Sequence, residues 1–280
     1  MISTVTEDYD ELEKIEIDLL LEGIYRHYGF DFRNYVFPSI RRRIWYRMRA
    51  EKLTTISALQ NKILHDPLFM KSFLGDLSIH VTEMFRDPTF FLSFRKNVVP
   101  LLYDYPSIRI WHAGCSTGEE VYSMAILLHE EGLYDKTKIY ATDIDELKLK
   151  VAESGIFTLN RMQQYTKNYL NAGGSKEFSE YYDANQLNVS FHPFLRRNIT
   201  FAQHNLVTDH SFNEFHVIFC RNVMIYFNDF LQNQVHDLIY ESLSFQGFLG
   251  LGSKEGIAFT KFQDSYEEID GNEKIYKRIR

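Results

Sequence analysis

The residues with the greatest chemical potential lie in one run, Ile108-Arg109-Ile110-Trp111-His112-Ala113-Gly114-Cys115-Ser116-Thr117-Gly118-Glu119-Glu120. Its first half alternates like a buried strand, then breaks into small residues, then opens a helix. In that helix Val121, Met124, Ala125 and Leu128 fall at i, i+3, i+4 and i+7, one face at helical period. Strand, glycine turn and helix hold a nucleotide-like ligand at the carboxyl end of a parallel sheet. Gly114 and Gly118 remove side chains where backbone must approach that ligand. The turn has no G-x-G-x-x-G, and Glu119 and Glu120 follow the last glycine, where a pyrophosphate would need bare amide N–H groups. Negative charge there suits a cation, and S-adenosylmethionine carries both a sulfonium and an amino group. The plain alternative is a βα turn that holds nothing.

A second acidic site follows. The predicted strand Lys138–Thr142 ends in Asp143-Ile144-Asp145, and Asp143 stands 25 positions after Gly118, close to the roughly 20 expected of a ribose-holding acid. Alternatively Asp143 or Asp145 only caps the helix that runs on to about Ala152. Cys115 and Cys220 are the two cysteines, far apart and without metal-ligand spacing, so they read as reduced thiols of a cytoplasmic protein and no metal is expected. No neighbouring base suggests that either is a nucleophile. They read as small side chains closing two strands.

A third concentration is basic. In Ser39–Arg49, Ile40, Ile44 and Met48 recur on one helical face with Trp45 at its edge. Arg42 and Arg49 point opposite, Arg43 and Arg47 flank the stripe, and Arg41 completes five arginines. Such a patch is either a solvated face or a dock for an acidic partner. The net charge of −7 gives no general attraction to nucleic acid and favours an acidic protein.

The elements that must position these groups divide the chain in two. From Lys14 to about Arg86 only helices are expected, with Ile15, Leu19 and the Leu20–Ile24 region as a stripe ending near Gly29, and Phe85 as a core anchor. Arg86 beside Asp87 fits an exposed pair. From about Thr89 strands alternate with helices, which implies a parallel sheet. Residues 156–198 break the alternation and read as an insertion of one or two helical turns and a small antiparallel sheet, with its aromatics as local core. The sheet resumes at Ile199–Phe201, continues at Phe215–Cys220 and Gly247–Gly252, and closes with an antiparallel strand after Gly271-Asn272. The expected domains are 1–88, helical, and 89–280. At 280 residues, 45% hydrophobic and 25% charged, this is an ordinary globular composition with ample core. No apolar run approaches membrane-spanning length, and the polar start is no signal peptide.

His80-Val-Thr82-Glu-Met-Phe-Arg86-Asp-Pro, Ala113-Gly-Cys-Ser-Thr-Gly-Glu-Glu120, Ala141-Thr-Asp-Ile-Asp145, His204-Asn-Leu206, Cys220-Arg-Asn-Val-Met-Ile-Tyr-Phe227 and Gly247-Phe-Leu-Gly-Leu-Gly-Ser253 together resemble the chemotaxis receptor methyltransferases, the CheR family. The resemblance spans nearly the whole chain in the family's order. It implies the class I S-adenosylmethionine-dependent methyltransferase fold, a mostly parallel doubly wound sheet with an antiparallel last strand. It implies methyl transfer from S-adenosylmethionine to glutamate side chains on cytoplasmic chemoreceptor helices, yielding methyl esters. It assigns cofactor contacts to His80, Thr82, Arg86, Glu120, Asp143, Asn205, Leu206, Cys220, Arg221 and Asn222, beside the turn glycine Gly114. It places Arg86 and Tyr226 at the reacting centre and matches the basic receptor-facing helix to Arg41, Arg42, Arg43, Arg47 and Arg49. Three positions depart from the common pattern: His80 replaces asparagine or a small polar residue, Val121 a proline, and Met84 a phenylalanine. The expected partner is a methyl-accepting chemoreceptor or similar acidic helical protein, met by a cytoplasmic monomer without membrane insertion. The same fold acting on another protein or a small acid, and a cofactor-binding signalling module serving a non-chemotaxis partner, are the alternatives. A nicotinamide dehydrogenase is disfavoured by the missing pyrophosphate pattern.

Overall fold

A computed structural model describes residues 11–77, 82–258 and 260–280. The chain forms two compact units, Met1–Ile79 with Tyr226–Leu231, and His80–Ile225 with Gln232–Arg280.

The first unit contains α1 (Glu11–Tyr28), α2 (Phe37–Ala50), α3 (Ile56–His65) and α4 (Pro67–Leu77). In α1 the buried residues are Ile17, Leu20, Leu21 and Ile24. The expected stripe is therefore corrected: Ile15 and Leu19 are 50% and 56% exposed. Two apolar arcs share this helix, and the buried one carries an unbroken i, i+3, i+4, i+7 set. Helix α2 starts at Phe37, with Pro38 in its first turn, where a missing N–H costs no hydrogen bond. It buries Ile40, Ile44 and Met48, as its periodicity predicts. Thr55 caps α3 by accepting from Ala58 N at 3.1 Å. Val36 N donates to Tyr226 O at 2.9 Å, and Tyr35 bridges Phe227, so the segment 226–231 joins this unit.

The second unit begins with α5 (Pro88–Asn97) and α6 (Val99–Leu102), followed by β1 (Ile108–Ala113), α7 (Glu119–Glu130), β2 (Thr137–Asp143) and α8 (Glu146–Ser154). The insertion holds β3 (Ile156–Thr158), α9 (Met162–Asn171), β4 (Tyr182–Ala184) and β5 (Asn188–Phe191). Then come β6 (Ile199–Gln203), β7 (Phe215–Cys220), α10 (Asp229–Ser242, counted here from Gln232), β8 (Leu243–Leu251), β9 (Tyr266–Asp270) and β10 (Ile275–Arg278). The main sheet has the order β6-β2-β1-β7-β8-β10-β9. Strands β6, β2, β1, β7 and β8 are parallel, and β10 runs antiparallel to β8. This is the expected doubly wound sheet with an antiparallel end.

The insertion differs from expectation in two respects. Its helix is a full ten residues, and the first strand of its sheet (order β3-β5-β4) precedes that helix. Tyr165, Tyr169, Phe178 and Tyr181 are buried as local core, with Tyr169 and Phe178 rings 5.1 Å apart. They join one continuous cluster with Phe85, Phe90, Phe91, Phe94 and the inward side of α7. Each such ring contributes about 1.5–3 kcal/mol by burial. A rigid frame is thereby set under the strand tips.

Candidate active site

The chain leaves β1 for β2 and β6 on one side and returns to lay β7 on the other. The crevice at that switch is where a doubly wound sheet takes its ligand. Gly114 N and Cys115 N both donate to Thr142 O at 2.8 Å, drawing the turn after β1 onto the end of β2. Gly114 has φ +79°, and a Cβ there would stand 2.6 Å from Val223 Cγ2; no larger residue fits.

Around Asp143 the backbone converges. Ser116 N donates to its Oδ2 at 2.7 Å and Asp145 N to its Oδ1 at 3.0 Å. Burial raises the Asp143 carboxyl above the ordinary range, and these donors partly oppose it. Each carboxylate oxygen retains acceptor capacity. Asp145 does cap α8, its Oδ1 accepting from Leu147 N at 2.9 Å. Its Oδ2 and the Ser116 hydroxyl are buried and without a hydrogen-bond partner among the described residues. Such groups are costly unless something else satisfies them. They fit a polar ligand bearing hydroxyl and amino groups. His204 N donates to Asp143 O at 3.2 Å, bringing Asn205 and Leu206 to the same edge, where Asn205 Oδ1 accepts from Val207 N at 3.0 Å.

Beside this lies an ionic network. Arg221, its side chain 1% exposed, donates to Glu120 Oε2 at 2.8 Å and to Asp87 Oδ2 at 2.9 Å. Its guanidinium lies 3.9 Å from the centre of the Phe90 ring. His112 Nδ1–H donates to Glu120 Oε1 at 2.9 Å. Burial pushes the Glu120 carboxyl up, but His112 and Arg221 outweigh it and hold the group down at about 2. Glu119 is different: burial raises its carboxyl, while Thr117 Oγ1 donates to it at 2.6 Å. Paired glutamates thus play unlike parts, Glu120 at the network and Glu119 packed inside. Cys115 and Cys220 are free and buried, and burial pushes both thiols up, away from nucleophilic use.

Arg86 is partly buried, in the turn segment Thr82–Asp87 that precedes α5. The residues on either side of it, Phe85 (φ +50°) and Asp87 (φ +54°), are left-handed, a conformation rare for a bulky side chain. Phe85 is pinned by rings of Phe91 at 5.1 Å and Tyr169 at 5.3 Å, and its N–H donates to Ser123 Oγ at 2.8 Å. The Arg86 carbonyl accepts from Arg221 at 3.4 Å. Thr82 O accepts from Arg161 at 3.3 Å. His80 lies outside the described residues.

Glu255 was not among the expected site residues. Its buried carboxylate accepts from Asn222 N at 2.8 Å and Gly252 N at 2.7 Å through Oε2, and from Val223 N at 2.9 Å through Oε1. Burial raises this carboxyl and the amides oppose it. The only sequence signal was an acid two residues beyond the Gly247–Ser253 run.

Arg86, Gly114, Glu120, Asp143, Asn205, Leu206, Cys220, Arg221 and Asn222 thus belong to one unit, at or beside the carboxyl edge of its sheet. Tyr226 belongs to the other, its ring centre 5.9 Å from the Arg43 guanidinium. On α2, Arg41 pairs with Glu13 at 2.8 Å, Arg43 donates to Asp76 O, and Arg47 binds Asp76 and Ser72. Arg42 and Arg49 are the exposed members, and neither enters an ion pair among the described residues. No group of metal ligands is found among the described residues, and no helix there is long and apolar enough to cross a membrane.

Two protein-family descriptions match the chain: "CheR methyltransferase, SAM binding domain" over residues 80–275 and "CheR methyltransferase, all-alpha domain" over residues 15–78. The chain is 50% identical over 264 residues to "Putative methyltransferase Cher3" of Pseudomonas putida, covering 94% of this chain and 97% of that one. It is 30% identical to "Chemotaxis protein methyltransferase" of Listeria monocytogenes, covering 83% and 86%. It is also 27% identical to an "Uncharacterized 104.1 kDa protein in hypE 3'region" of Rhodobacter capsulatus, covering 97% of this chain but 28% of that longer one.

Proposed function

This chain belongs to the CheR methyltransferase family, and from that premise we propose that it methylates glutamate carboxylates on cytoplasmic helices of a chemoreceptor, as a protein-glutamate O-methyltransferase. Bound S-adenosylmethionine supplies a positively charged, electrophilic methyl group. Asp143 and the turn Gly114–Gly118 hold its nucleoside end in this reading, Asn205 and Leu206 flank it, and Glu120 with Arg221 and Asn222 face its charged end. Thr82 and Cys220 complete the wall.

The observation that carries this reading is a cluster of strain. Seven non-glycine residues among those described have left-handed φ, and Phe85, Asp87, Ser116 and Asn222 are four of them. They flank Arg86, sit in the β1 turn and open the loop after β7. Backbone strain of about 1–3 kcal/mol per residue persists where the surroundings over-determine it, characteristically at functional sites.

The acceptor carboxylate is ionised at neutral pH, with a reference pKa of about 4.3, so no residue of this chain need remove a proton. What remains is orientation and exclusion of water. Holding two reactants in near-attack geometry lowers a barrier by about 7–11 kcal/mol. Arg86 orients the acceptor in this proposal and does not grip it, because a strong ground-state ion pair would be stabilised as much as the transition state. The Tyr226 hydroxyl directs one carboxylate oxygen, a role taken from the family resemblance. Arg42 and Arg49 supply the exposed positive charge for an acidic helix, while Arg41, Arg43 and Arg47 hold the first unit together.

The test is methyl transfer itself. The full chain is incubated with methyl-labelled S-adenosylmethionine and cytoplasmic fragments of methyl-accepting chemoreceptors. Label that enters a fragment and leaves as methanol in mild base is expected, as an ester requires. Base-stable label, or none in any fragment while the chain binds cofactor, overturns the substrate reading.

A further inference from the structure

We infer that Glu255 is a positioning residue of the cofactor site, its carboxylate being the template on which the loop after β7 folds. This rests on the cofactor reading above. Four backbone amides from two stretches of chain converge on one side chain: Asn222 and Gly252 on Oε2, Val223 and Ile225 on Oε1, the last at 3.3 Å. Glu255 is 8% exposed. A charged acceptor shared among amides makes each hydrogen bond stronger than a neutral one, and losing it would strand several buried donors at once.

What the loop carries gives the clamp its consequence. Arg221, the residue before Asn222, spans Glu120 and Asp87. Val223 fills the space that a Cβ on Gly114 would need, so the loop is packed directly on the β1 turn. Asn222 enters the loop at φ +62°, a conformation that asparagine tolerates and that the two amides on either side of the Glu255 carboxylate hold in place. Gly252 closes the arrangement: a Cβ there would stand 2.7 Å from Glu255 Oε2 and 2.8 Å from Asn222 N. Displacing the carboxylate therefore moves Arg221 relative to Glu120 and Val223 relative to Gly114 together. Glu255 itself needs no contact with the cofactor.

The experiment uses the full chain and S-adenosylhomocysteine as probe. Glu255→Gln puts an amide donor where two N–H groups now point, and Gly252→Ala wedges the clamp without touching its charge. Both are expected to raise the S-adenosylhomocysteine Kd and the S-adenosylmethionine KM at least ~10-fold, with kcat at saturation within about 3-fold of wild type. Glu130→Gln is the structural control. That carboxylate pairs with Arg95 and Tyr181 at the far end of α7, so the variant lowers the melting temperature and leaves the Kd unchanged. Wild-type affinity in a folded Glu255→Gln or Gly252→Ala overturns the inference. Amide hydrogen exchange on the unmodified chain decides it should neither variant fold: the amides of Asn222, Val223, Ile225 and Gly252 must be protected and open as one unit, and independent opening overturns it. Failure of the cofactor reading looks different, as a wild-type chain that binds no S-adenosylhomocysteine while the four amides still open together.

Discussion

The ionic network at the strand tips predicts a measurable energy. Arg221→Met keeps an aliphatic stem over Phe90 but removes the charge that Glu120 and Asp87 share. Removing one partner of a buried pair costs about 3–5 kcal/mol. Glu120 and Asp87 keep 20% and 39% of their side-chain surface exposed, so water partly compensates them and the lower end, about 3 kcal/mol, is expected. Urea unfolding at neutral pH reads this as a lower midpoint at unchanged slope. Glu120→Gln removes the same interaction from the other side, so the double variant should lose at least ~1.5 kcal/mol less than the two single losses added. A loss below about 1 kcal/mol for Arg221→Met, or simple additivity, would refute the network as a structural unit.

Three further outcomes follow from the site. Arg86→Ala should lower kcat by two orders of magnitude or more while the S-adenosylhomocysteine Kd changes by less than about 3-fold; equal losses would make Arg86 a cofactor contact only. Charge reversal of Arg42 and Arg49 should raise the KM for receptor fragments without altering cofactor affinity, since surface changes there cost within about ±0.5 kcal/mol of stability; an unchanged KM leaves that face merely solvated. Glu120 also predicts a pH dependence. Its folded carboxyl is held at about 2 against an ordinary 4.5, so the stability it adds, about 3 kcal/mol, is fully present above pH 4.5 and lost as pH falls toward 2. The gap in unfolding free energy between wild type and Glu120→Gln should close across that window; a constant gap contradicts it.

The parts of the fold that were legible beforehand are those in which residue type dictates backbone. Gly114 and Gly118 marked the turn because left-handed backbone and close approach both call for glycine. Asp143 was legible as the end of the second predicted strand, and β2 ends at that residue. The strain around Arg86 left no such mark, because Phe85 and Asp87 are forced into left-handed backbone by neighbours distant in sequence. Glu255 was hidden for a related reason, since amides carry no residue identity and any acid at the end of β8 looks like a surface charge. Helical period already set Arg42 and Arg49 opposite the apolar stripe of α2, but that Glu13 and Asp76, far along the chain, take up Arg41, Arg43 and Arg47 could not be read from it. Helix α9 was legible in principle: Met162, Tyr165 and Tyr169 stand at i, i+3 and i+7 and are all buried, a signal masked by its many polar residues.

The central claim is that the crevice around Gly114, Glu120 and Asp143 receives a methyl donor. Calorimetric titration of the full chain with S-adenosylhomocysteine and with NAD, repeated on Asp143→Ala, tests it most directly. One S-adenosylhomocysteine per chain, no heat from NAD, and at least a ~10-fold weaker Kd in Asp143→Ala are predicted. Preference for NAD, or unchanged affinity in the variant, would contradict the account.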